Sequence, residues 1–524
     1  MIKLTKNLLV LLVLLLTVLS FAAISQQKLN DFGNSFIQES SIQPASIFQS
    51  NMVIQQQMPI RIWGTANEGA TIKVLFSGKN RETKANSKNE WMVVFPPMKS
   101  SKEPISLTIN NKFHFENILL GEVWLCTGQS NMVYNMKRLN NSKDILAGDF
   151  AKDIRLINYD GIRIVAKEGF TPEELERCNL KDYFKGNWVE NNQETAANFS
   201  AIGWYFGKFV NQSLDVPVGL ISVAVGGSAI NNWIPTSILK SNPLTANWFE
   251  KDWLTNQDFK IAHRDRAKEA FQHVIKPEEP FLIGKMPYRW ICEPGFIFDA
   301  GLAPLQNLSF RGALWYQGES DAEKMTYADR YKELFPLMVK SWRGYFNNGK
   351  FPVLTVQLPG FNSEAWPYFR EIQRELNDYA PNTQMAVTID LGMENDVHPP
   401  EKEPIGKRLS NLALKHVYGK KIEADFPEVK SIKKTKEFIT INFKNTAKGF
   451  RKIEKEISGF EISDEKGIFY PVKAKLIDAN RIKLTNRVTD PTGVRYAWTP
   501  YPKPSVQLFN SEGLPLGPFV KLLK

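Results

Sequence analysis

The sequence predicts an α/β fold in which a three-layer parallel sheet, covered by helices on both faces, is flanked by N- and C-terminal all-β domains. Almost continuous apolar runs such as 219–225 and 312–316 alternate with segments of helical spacing, which indicates the central sheet. Short alternating strands with turn residues between them indicate the two flanking domains. The rhythm changes near residues 119 and 420, so the predicted domains are 45–118, 119–419 and 420–524.

Length and composition describe a multidomain globular protein. A chain of 524 residues is too long for one ordinary core, and 43% hydrophobic with 12% aromatic residues excludes a disordered chain. The net charge of +11 is concentrated after residue 420, where Lys and Arg alternate with apolar residues. A solvated β-surface accounts for that pattern, so we expect no nucleic acid partner. Cys126, Cys178 and Cys292 are widely spaced and indicate neither a disulfide framework nor a zinc site.

Residues 1–25 predict a secretory signal peptide. Two lysines among the first six residues precede an apolar run, and small residues follow it, so cleavage is expected near Ser25-Gln26. The mature protein is therefore expected to be periplasmic or secreted. The run from Leu8 to Ile24 is close to membrane-spanning length, which leaves a retained anchor as the alternative. We expect no stable membrane anchor, and no pattern in the chain specifies an oligomeric state.

The N-terminal domain, residues 45–118, is a string of short strand candidates separated by Asn, Gly, Pro and Lys residues. This spacing is typical of a small β-sandwich or jelly roll. The strand candidates are 52–54, 60–63, 71–76 and 91–95. The C-terminal domain, residues 420–524, returns to the same pattern, with strand candidates at 438–443, 457–462, 482–484 and 494–498.

The central domain, residues 119–419, alternates predicted strands with predicted helices. A stretch at about 233–303 interrupts this rhythm with many aromatic residues and prolines. We interpret it as an insertion or a long loop system near the mouth of the sheet, with a purely structural excursion as the alternative. The predicted strands are 123–126, 219–225, 312–316, 351–358 and 385–389, and the predicted helices are 197–214, 324–342, 367–379 and 403–416.

The stretch GEVWLCTGQSNM, residues 121–132, is the first candidate for a functional site. Its apolar strand ends at a short polar turn, and Ser130 follows at the predicted start of a helix. Backbone N–H groups at a helix start favour developing negative charge, which suits a serine nucleophile. A serine that only caps the helix is the ordinary alternative. Because Asn131 and Met132 follow the serine, the G-x-S-x-G pattern of lipase-type α/β-hydrolases is absent.

Polar or glycine-rich segments follow three further predicted strands. They are Gly226-Gly227-Ser228, Gln317–Asp321, and the acidic loop that contains His398. Ligands bind beyond the carboxyl ends of the strands in an open parallel sheet, so these segments are expected to meet near Ser130. A carboxylate beside His398 could orient its imidazole, as a serine hydrolase requires. Each segment has an ordinary structural explanation, but their joint placement favours catalysis.

Several motifs resemble the sialate O-acetylesterase family, which belongs to the SGNH superfamily of ester hydrolases. They are GQSNM (128–132), WYQGESD (315–321) and DVHPPEKEPIGKRL (396–409), and weaker matches extend the resemblance over roughly residues 45–522. The resemblance implies an SGNH, flavodoxin-like arrangement of the central sheet. It also implies that the protein is a carboxylic ester hydrolase.

Site roles follow from the same resemblance. It implies that Ser130 is the nucleophile, that His398 is the general base, and that the N–H groups of Ser130 and Gly227 stabilise the oxyanion. Gln317 would replace the asparagine that many superfamily members use, and the neighbouring Gln129 and Glu319 complete the expected oxyanion and substrate-binding set. No metal and no cofactor are expected.

The catalytic acid departs from the superfamily pattern. The Asp expected three residues before the histidine is replaced by Asn395, and Asp396, two residues before His398, is the predicted acid. Asp390, Glu394 or a Ser-His dyad without an acid are the alternatives.

The resulting hypothesis is a serine carbohydrate O-acetylesterase that acts on O-acetylated sugars, with sialic acids as the expected substrates. An acetylxylan or other plant-polysaccharide acetylesterase is one alternative. A catalytically silent carbohydrate-binding protein is the other, although the presence of both Ser130 and His398 argues against it.

Overall fold

The computed structural model describes residues 42–523 except 276–279, 283–284, 286 and 454–455. The predicted signal peptide at 1–25 lies outside the described residues. The described residues divide into two compact units, one formed by 42–46, 62–93 and 108–113, the other by 47–61, 94–107 and the described residues between 114 and 523. No helix within the described ranges is long and apolar enough to cross a membrane.

The described strands are short, apart from one of 16 residues. In chain order they are β1 (Gln43–Pro44), β2 (Val53–Gln55), β3 (Ile60–Thr65), β4 (Thr71–Phe76), β5 (Lys79–Lys84), β6 (Glu90–Phe95), β7 (Ser101–Ile109), β8 (Phe113–Gly128), β9 (Ile154–Asn158), β10 (Val189–Glu190), β11 (Val218–Ala224), β12 (Gly312–Tyr316), β13 (Val353–Val356), β14 (Thr383–Ala386), β15 (Glu428–Lys434), β16 (Phe438–Lys444), β17 (Phe460–Ser463), β18 (Phe469–Pro471), β19 (Ala474–Leu476), β20 (Arg481–Thr485), β21 (Gly493–Tyr496) and β22 (Phe519–Leu522).

The described α-helices lie between residues 130 and 416. They are α1 (Ser130–Val133), α2 (Ser142–Leu146), α3 (Pro172–Arg177), α4 (Gln193–Asn198), α5 (Ala201–Leu214), α6 (Thr236–Ser241), α7 (Ile261–Ala270), α8 (Met325–Tyr345), α9 (Trp366–Tyr379) and α10 (Glu403–His416). The helix predicted at 197–214 begins later, at Ala201, because the side chain of Ser200 accepts a hydrogen bond from Gly203 N and caps α5.

In the smaller unit, β4 and β5 form an antiparallel hairpin that pairs Thr71 with Lys84 and Phe76 with Lys79. Strand β4 alternates exposed residues with the buried Ile72, Val74 and Phe76, the period of two expected of a half-buried strand.

The parallel sheet of the larger unit has the strand order β10-β9-β11-β8-β12-β13-β14. Its neighbours pair in parallel, apart from the short edge strand β10, which runs antiparallel to β9. Residues 123–126 of β8 are fully buried, as are all residues of β12. Apolar strands buried on both faces are the pattern from which the sheet was predicted.

The register brings three strand ends to one level. Gly128, the last residue of β8, pairs with Ala224 of β11 on one side and with Tyr316 of β12 on the other. The loops that follow these strands therefore begin side by side, and this is where the strand order changes direction.

Helices cover both faces of this sheet. Trp124 of β8 contacts Phe206 of α5, with ring centroids 4.9 Å apart. Trp315 of β12 contacts Trp342 of α8, at 5.7 Å. Register pairs Trp315 with Thr127, and side chains at 124 and 127 point to opposite faces because successive residues alternate. The mixed α/β fold with several sheets is thus confirmed.

The predicted insertion is partly helical and has its own aromatic core. It contains α6 and α7, and Trp253 and Trp290 are both fully buried, with ring centroids 6.0 Å apart. Phe271, at the end of α7, contacts Trp290.

Residues 428–522 form two four-stranded antiparallel sheets, β15-β16-β20-β19 and β18-β17-β21-β22. Ile441, Ile462 and Val494 from the two sheets belong to one buried apolar cluster. The predicted domain boundaries stay predictions, and the one at 118/119 falls inside the continuous strand β8.

Candidate active site

Ser130 is the first residue of α1 and follows β8 after a single residue, Gln129. Gly128 has φ +129°, and a Cβ atom there would lie 2.1 Å from the carbonyl oxygen of Tyr316. Only glycine fits this position without displacing β12. The tight turn from strand to helix therefore fixes where Ser130 lies at the end of the sheet.

His398 lies against Ser130. Its Nε2 atom is 2.8 Å from Ser130 Oγ, which is hydrogen-bond distance, although the residues are 268 positions apart in sequence. His398 follows the last parallel strand and precedes α10. The structure thus brings together two of the residues predicted from sequence.

Asp396 lies beside His398 on the side away from the serine. Its Oδ1 atom accepts a hydrogen bond of 2.8 Å from the backbone N–H of His398 and is 3.5 Å from His398 Nδ1. The carboxylate is more than half exposed, at 55%, whereas the imidazole is 28% exposed.

The two other acids considered for this role are paired elsewhere. Asp390 accepts two hydrogen bonds from the guanidinium of Arg408, at 2.8 and 2.6 Å. Glu394 forms an ion pair with Lys503, with a shortest N–O distance of 2.6 Å.

Two glycines bring backbone close to the serine. A Cβ atom on Gly226 would lie 3.7 Å from Ser130 Cβ, and Gly227 has φ +73°. The carbonyl oxygen of Gly227 accepts hydrogen bonds from Ser320 Oγ at 2.9 Å and from His263 Nε2 at 2.7 Å. Among the described residues, the backbone N–H groups of Ser130 and Gly227 donate to no acceptor.

Gln129 and Gln317 are both buried and hydrogen-bonded to each other. Gln317 is fully buried, and its Nε2 donates to Gln129 Oε1 at 3.0 Å, Asp321 Oδ2 at 2.6 Å and Ser228 O at 3.1 Å. Gln129 Oε1 also lies 3.3 Å from two backbone N–H groups of the 317–321 loop. The amide hydrogens of Gln317 are therefore engaged away from the position of an oxyanion. Burial raises the pKa of Asp321 to about 6.

Glu319 is also buried, and it pairs with Asn131. Asn131 Nδ2 donates to Glu319 Oε1 at 2.5 Å and to the carbonyl oxygen of Val397 at 2.9 Å, and Asn131 Oδ1 accepts from Lys402 Nζ at 2.5 Å. Burial raises the pKa of Glu319 and lowers the pKa of Lys402.

Burial also lowers the pKa of His398 from its ordinary value of 6.5. The negative charge of Asp396 raises this pKa, and the positive charges of Lys402 and Arg138 lower it. A neutral imidazole at neutral pH is the form that can accept a proton from a serine hydroxyl.

Sequence reasoning missed Asn131, Lys402 and His263. Asn131 and Lys402 each stand inside one of the quoted motifs, but neither has an assigned role there. His263 lies in the insertion, far in sequence from the other site segments. No group of three His, Cys, Asp or Glu side chains in the described ranges has the arrangement of a metal site.

Comparisons with known proteins define the class. Residues 298–415 match the model of a family described as carbohydrate esterase, sialic acid-specific acetylesterase. The rat sialate O-acetylesterase is 28% identical over 91% of this chain and 93% of its own length, and the human one is 26% identical over 91% and 92%. The chain is a carboxylic ester hydrolase. Its predicted resemblance to the sialate O-acetylesterase family is confirmed.

A solved structure shares the fold. A carbohydrate acetylesterase from Xanthomonas citri superposes with a TM-score of 0.74 at 24% identity, covering 92% of this chain and 99% of its own. At this identity the likeness establishes the fold of the chain.

Proposed function

We propose that this protein is a serine O-acetylesterase of the SGNH type that removes acetyl groups from O-acetylated sugars, sialic acids in particular. The observation that carries the proposal is the 2.8 Å contact between Ser130 Oγ and His398 Nε2 at the carboxyl edge of the parallel sheet. A nucleophile and a base within hydrogen-bond reach are the minimal unit of acyl transfer through serine.

In the first half-reaction, Ser130 Oγ attacks the carbonyl carbon of the acetyl ester while its proton passes to His398 Nε2. The carbonyl oxygen becomes an oxyanion, and the free N–H groups of Ser130 and Gly227 are the proposed donors to it. When the tetrahedral intermediate collapses, the bond to the sugar oxygen breaks. That oxygen takes the proton from His398, and an acetyl-serine remains.

In the second half-reaction, water takes the place of the sugar. His398 accepts a proton from the water as its oxygen attacks the acetyl carbon, and then returns a proton to Ser130 Oγ as acetate leaves. Asp396 orients the imidazole in both steps, since its carboxylate is on the Nδ1 side of the ring. Asp390 and Glu394 are held by Arg408 and Lys503, which favours Asp396 for this role.

Two arginines support an anionic sugar as substrate. A Cβ atom on Gly227 would lie 3.5 Å from Arg266 Nη1, and the exposed Arg138 stacks on Tyr134 close enough to His398 to lower the pKa of its imidazole. Within the described ranges, neither arginine forms an ion pair with a carboxylate. A sialic acid carries a carboxylate that such a guanidinium could bind.

Acetate release from O-acetylated sialic acid, its methyl ester and acetylated xylan tests the reaction and the substrate together. Wild-type protein should release acetate, and Ser130→Ala should reduce the rate below about a hundredth while leaving the fold intact. Ser142→Ala is the matched control, because Ser142 also begins a short helix but lies outside the site. Activity of the Ser130→Ala protein close to that of wild type would contradict the serine mechanism.

The substrate part has a separate test. Arg266→Met should lower kcat/KM for the free acid about 10- to 100-fold, the loss expected for one hydrogen bond to a charged group, and should leave the methyl ester unaffected. Lys268→Met removes an exposed charge from the same helix as the control. Equal rates on the acid and its ester would exclude carboxylate recognition without affecting the esterase proposal.

The proposed site of action is the periplasm or the extracellular space. The predicted signal peptide supports this proposal. Appearance of the mature chain, beginning near Gln26, in the exported fraction would test it.

A further inference from the structure

Three buried side chains form a chain of hydrogen bonds beneath the Ser130–His398 pair. Lys402 Nζ donates to Asn131 Oδ1, and Asn131 Nδ2 donates to both Glu319 Oε1 and Val397 O. Lys402 and Asn131 are fully buried and Glu319 is 6% exposed. Asn131 lies in α1, directly after β8, whereas Glu319 follows β12 and Lys402 precedes α10.

Lys402 and Glu319, at the two ends of this hydrogen-bond chain, fix the orientation of the Asn131 amide. Its oxygen faces the ammonium of Lys402, and its nitrogen faces the carboxylate of Glu319. A flipped amide would place its N–H groups against the ammonium and its oxygen against the carboxylate. Both end charges therefore polarise the amide in one direction and strengthen its hydrogen bonds.

The amide links the backbones of the two reacting residues. Asn131 directly follows Ser130, and Val397, whose carbonyl accepts from Asn131, directly precedes His398. We propose that Lys402, Asn131 and Glu319 form a positioning network that holds His398 at hydrogen-bond distance from Ser130. This inference rests on the proposed serine mechanism and assigns the three residues a role in its geometry.

The network is most strongly polarised when Lys402 and Glu319 are both charged, and the burial of each group works against its charged form. Taking either charge out of water is costly, and removing its partner would leave the other buried and uncompensated. Lys402 gains further stabilisation from aromatic rings, since its Nζ lies 4.7 Å from the ring centroid of Tyr134 and 5.9 Å from that of Tyr316. No carboxylate lies within ion-pair distance of Lys402 among the described residues, so the Asn131 amide is its polar link to Glu319.

Lys402 also acts on His398 through its charge. The charged groups that influence the imidazole are Asp396, which raises its pKa, and Lys402 and Arg138, which lower it. Loss of the Lys402 charge should therefore raise the pKa of His398. A residue with a purely structural role would not produce this effect.

The experiment compares Lys402→Met, Glu319→Gln and the double variant with wild type. Lys407→Met, on the exposed side of the same helix, is the matched control. Measured quantities are kcat and KM for acetate release, the rate at which a fluorophosphonate labels Ser130, the pH profile of kcat/KM, and the melting temperature.

We expect each single variant to lose about 10²-fold in kcat, the effect of displacing a reacting group by about 1 Å, with KM unchanged. Labelling of Ser130 should slow in parallel. In Lys402→Met the acid limb of the profile should move to higher pH. The double variant should lose less than the product of the single losses, since the two residues act as one unit. Lys407→Met should match wild type.

Wild-type kcat and pH profile in folded Lys402→Met protein would overturn the inference. If that variant does not fold, the charge-neutral double variant decides, and wild-type kinetics in it would overturn the inference equally. Failure of all three variants to fold would assign the residues to stability and exclude the positioning role. Absence of esterase activity in the wild type would instead refute the proposed function.

Discussion

At the residue scale, His398 has one polar contact on each side of its imidazole ring, Ser130 at Nε2 and Asp396 at Nδ1. Its Nε2 atom is 2.8 Å from the Ser130 hydroxyl, while Asp396 is 3.5 Å from Nδ1 and accepts the backbone N–H of His398. The carboxylate therefore acts on both the ring and the backbone of the same residue. Because the Asp396 carboxylate is exposed, its electrostatic interaction with the imidazole is weaker than that of a buried acid would be.

Asp396→Asn is expected to lower kcat about 10²- to 10⁴-fold, because the amide favours the wrong imidazole tautomer. Glu394→Gln should have little effect on kcat, since Glu394 pairs with the exposed Lys503. Asp390→Asn should mainly lower the melting temperature, because it weakens a two-bond pair with Arg408. Steady-state kinetics and thermal unfolding of the three variants separate these effects. A nearly active Asp396→Asn protein would indicate a dyad or another acid.

The pH profile has a predicted direction. Burial lowers the pKa of His398 below 6.5, and the proposed mechanism uses the neutral imidazole as its base, so kcat/KM should fall with decreasing pH through a value below 6.5. Asp396 raises this pKa, so Asp396→Asn should move the acid limb to still lower pH. EDTA should leave the profile unchanged, since the proposed steps use no metal. Loss of activity in EDTA, restored by a divalent ion, would contradict the mechanism.

At the element scale, strands with continuous apolar sequence could be predicted and a strand with a buried charge could not. Strand β12 has the predicted bounds, and so does helix α10, whose apolar residues recur at helical spacing. Strand β9 was missed because Arg155 interrupts it. The structure buries Arg155 and pairs it with Glu190 of β10 at 3.2 Å. Such a partner is recognisable only after folding.

The candidate site likewise has parts that could be predicted from the sequence and parts that could not. The proximity of Ser130, the Gly226-Gly227 turn and His398 could be predicted, because each lies in a segment that follows a strand of the sheet. The pairing of Lys402 with Asn131 joins α1 to the loop before α10, 271 residues further along the chain, and the sequence carries no signal for it. Gln317 was expected at the oxyanion, but its side chain turns inward to Asp321.

Lys402 directly precedes helix α10. This helix packs closely on α5. A Cβ atom on Gly406 would lie 2.6 Å from Tyr205 Cβ and 3.0 Å from the Ile202 carbonyl oxygen. Gly406→Ala should therefore destabilise the protein by about 1–3 kcal/mol through overpacking. Because the first turn of α10 would shift, kcat should also fall. Urea unfolding and acetate release measure the two effects.

Gly344→Ala is the control for that prediction. Gly344 lies in α8, and a Cβ atom there would meet nothing within 4 Å. This substitution should stabilise the protein by about 0.5–1 kcal/mol through helix propensity. If both variants were more stable than wild type, the packing of α10 on α5 would not require glycine at position 406.

At the scale of the larger unit, the C-terminal segment that follows β21 is joined to helix α9 by a buried arginine. Arg370 of α9 is fully buried and donates to the carbonyl oxygens of Pro359, Thr499 and Pro500. Burial lowers its pKa to about 9. Lys503, a few residues further on, pairs with Glu394 in the loop that leads to His398. The C-terminal segment therefore contacts both α9 and the loop that contains His398.

Arg370→Met should lower the free energy of unfolding by about 1–3 kcal/mol for each carbonyl left without a donor. Thr499 loses its donor, whereas Pro500 keeps the N–H of Phe361 at 3.0 Å. Lys503→Met is the control, because a pair between exposed side chains contributes about 0–1 kcal/mol. Urea unfolding and kcat should be measured on both variants. A smaller loss of stability for Arg370→Met than for Lys503→Met would show that the exposed pair, and not the buried arginine, anchors the C-terminal segment.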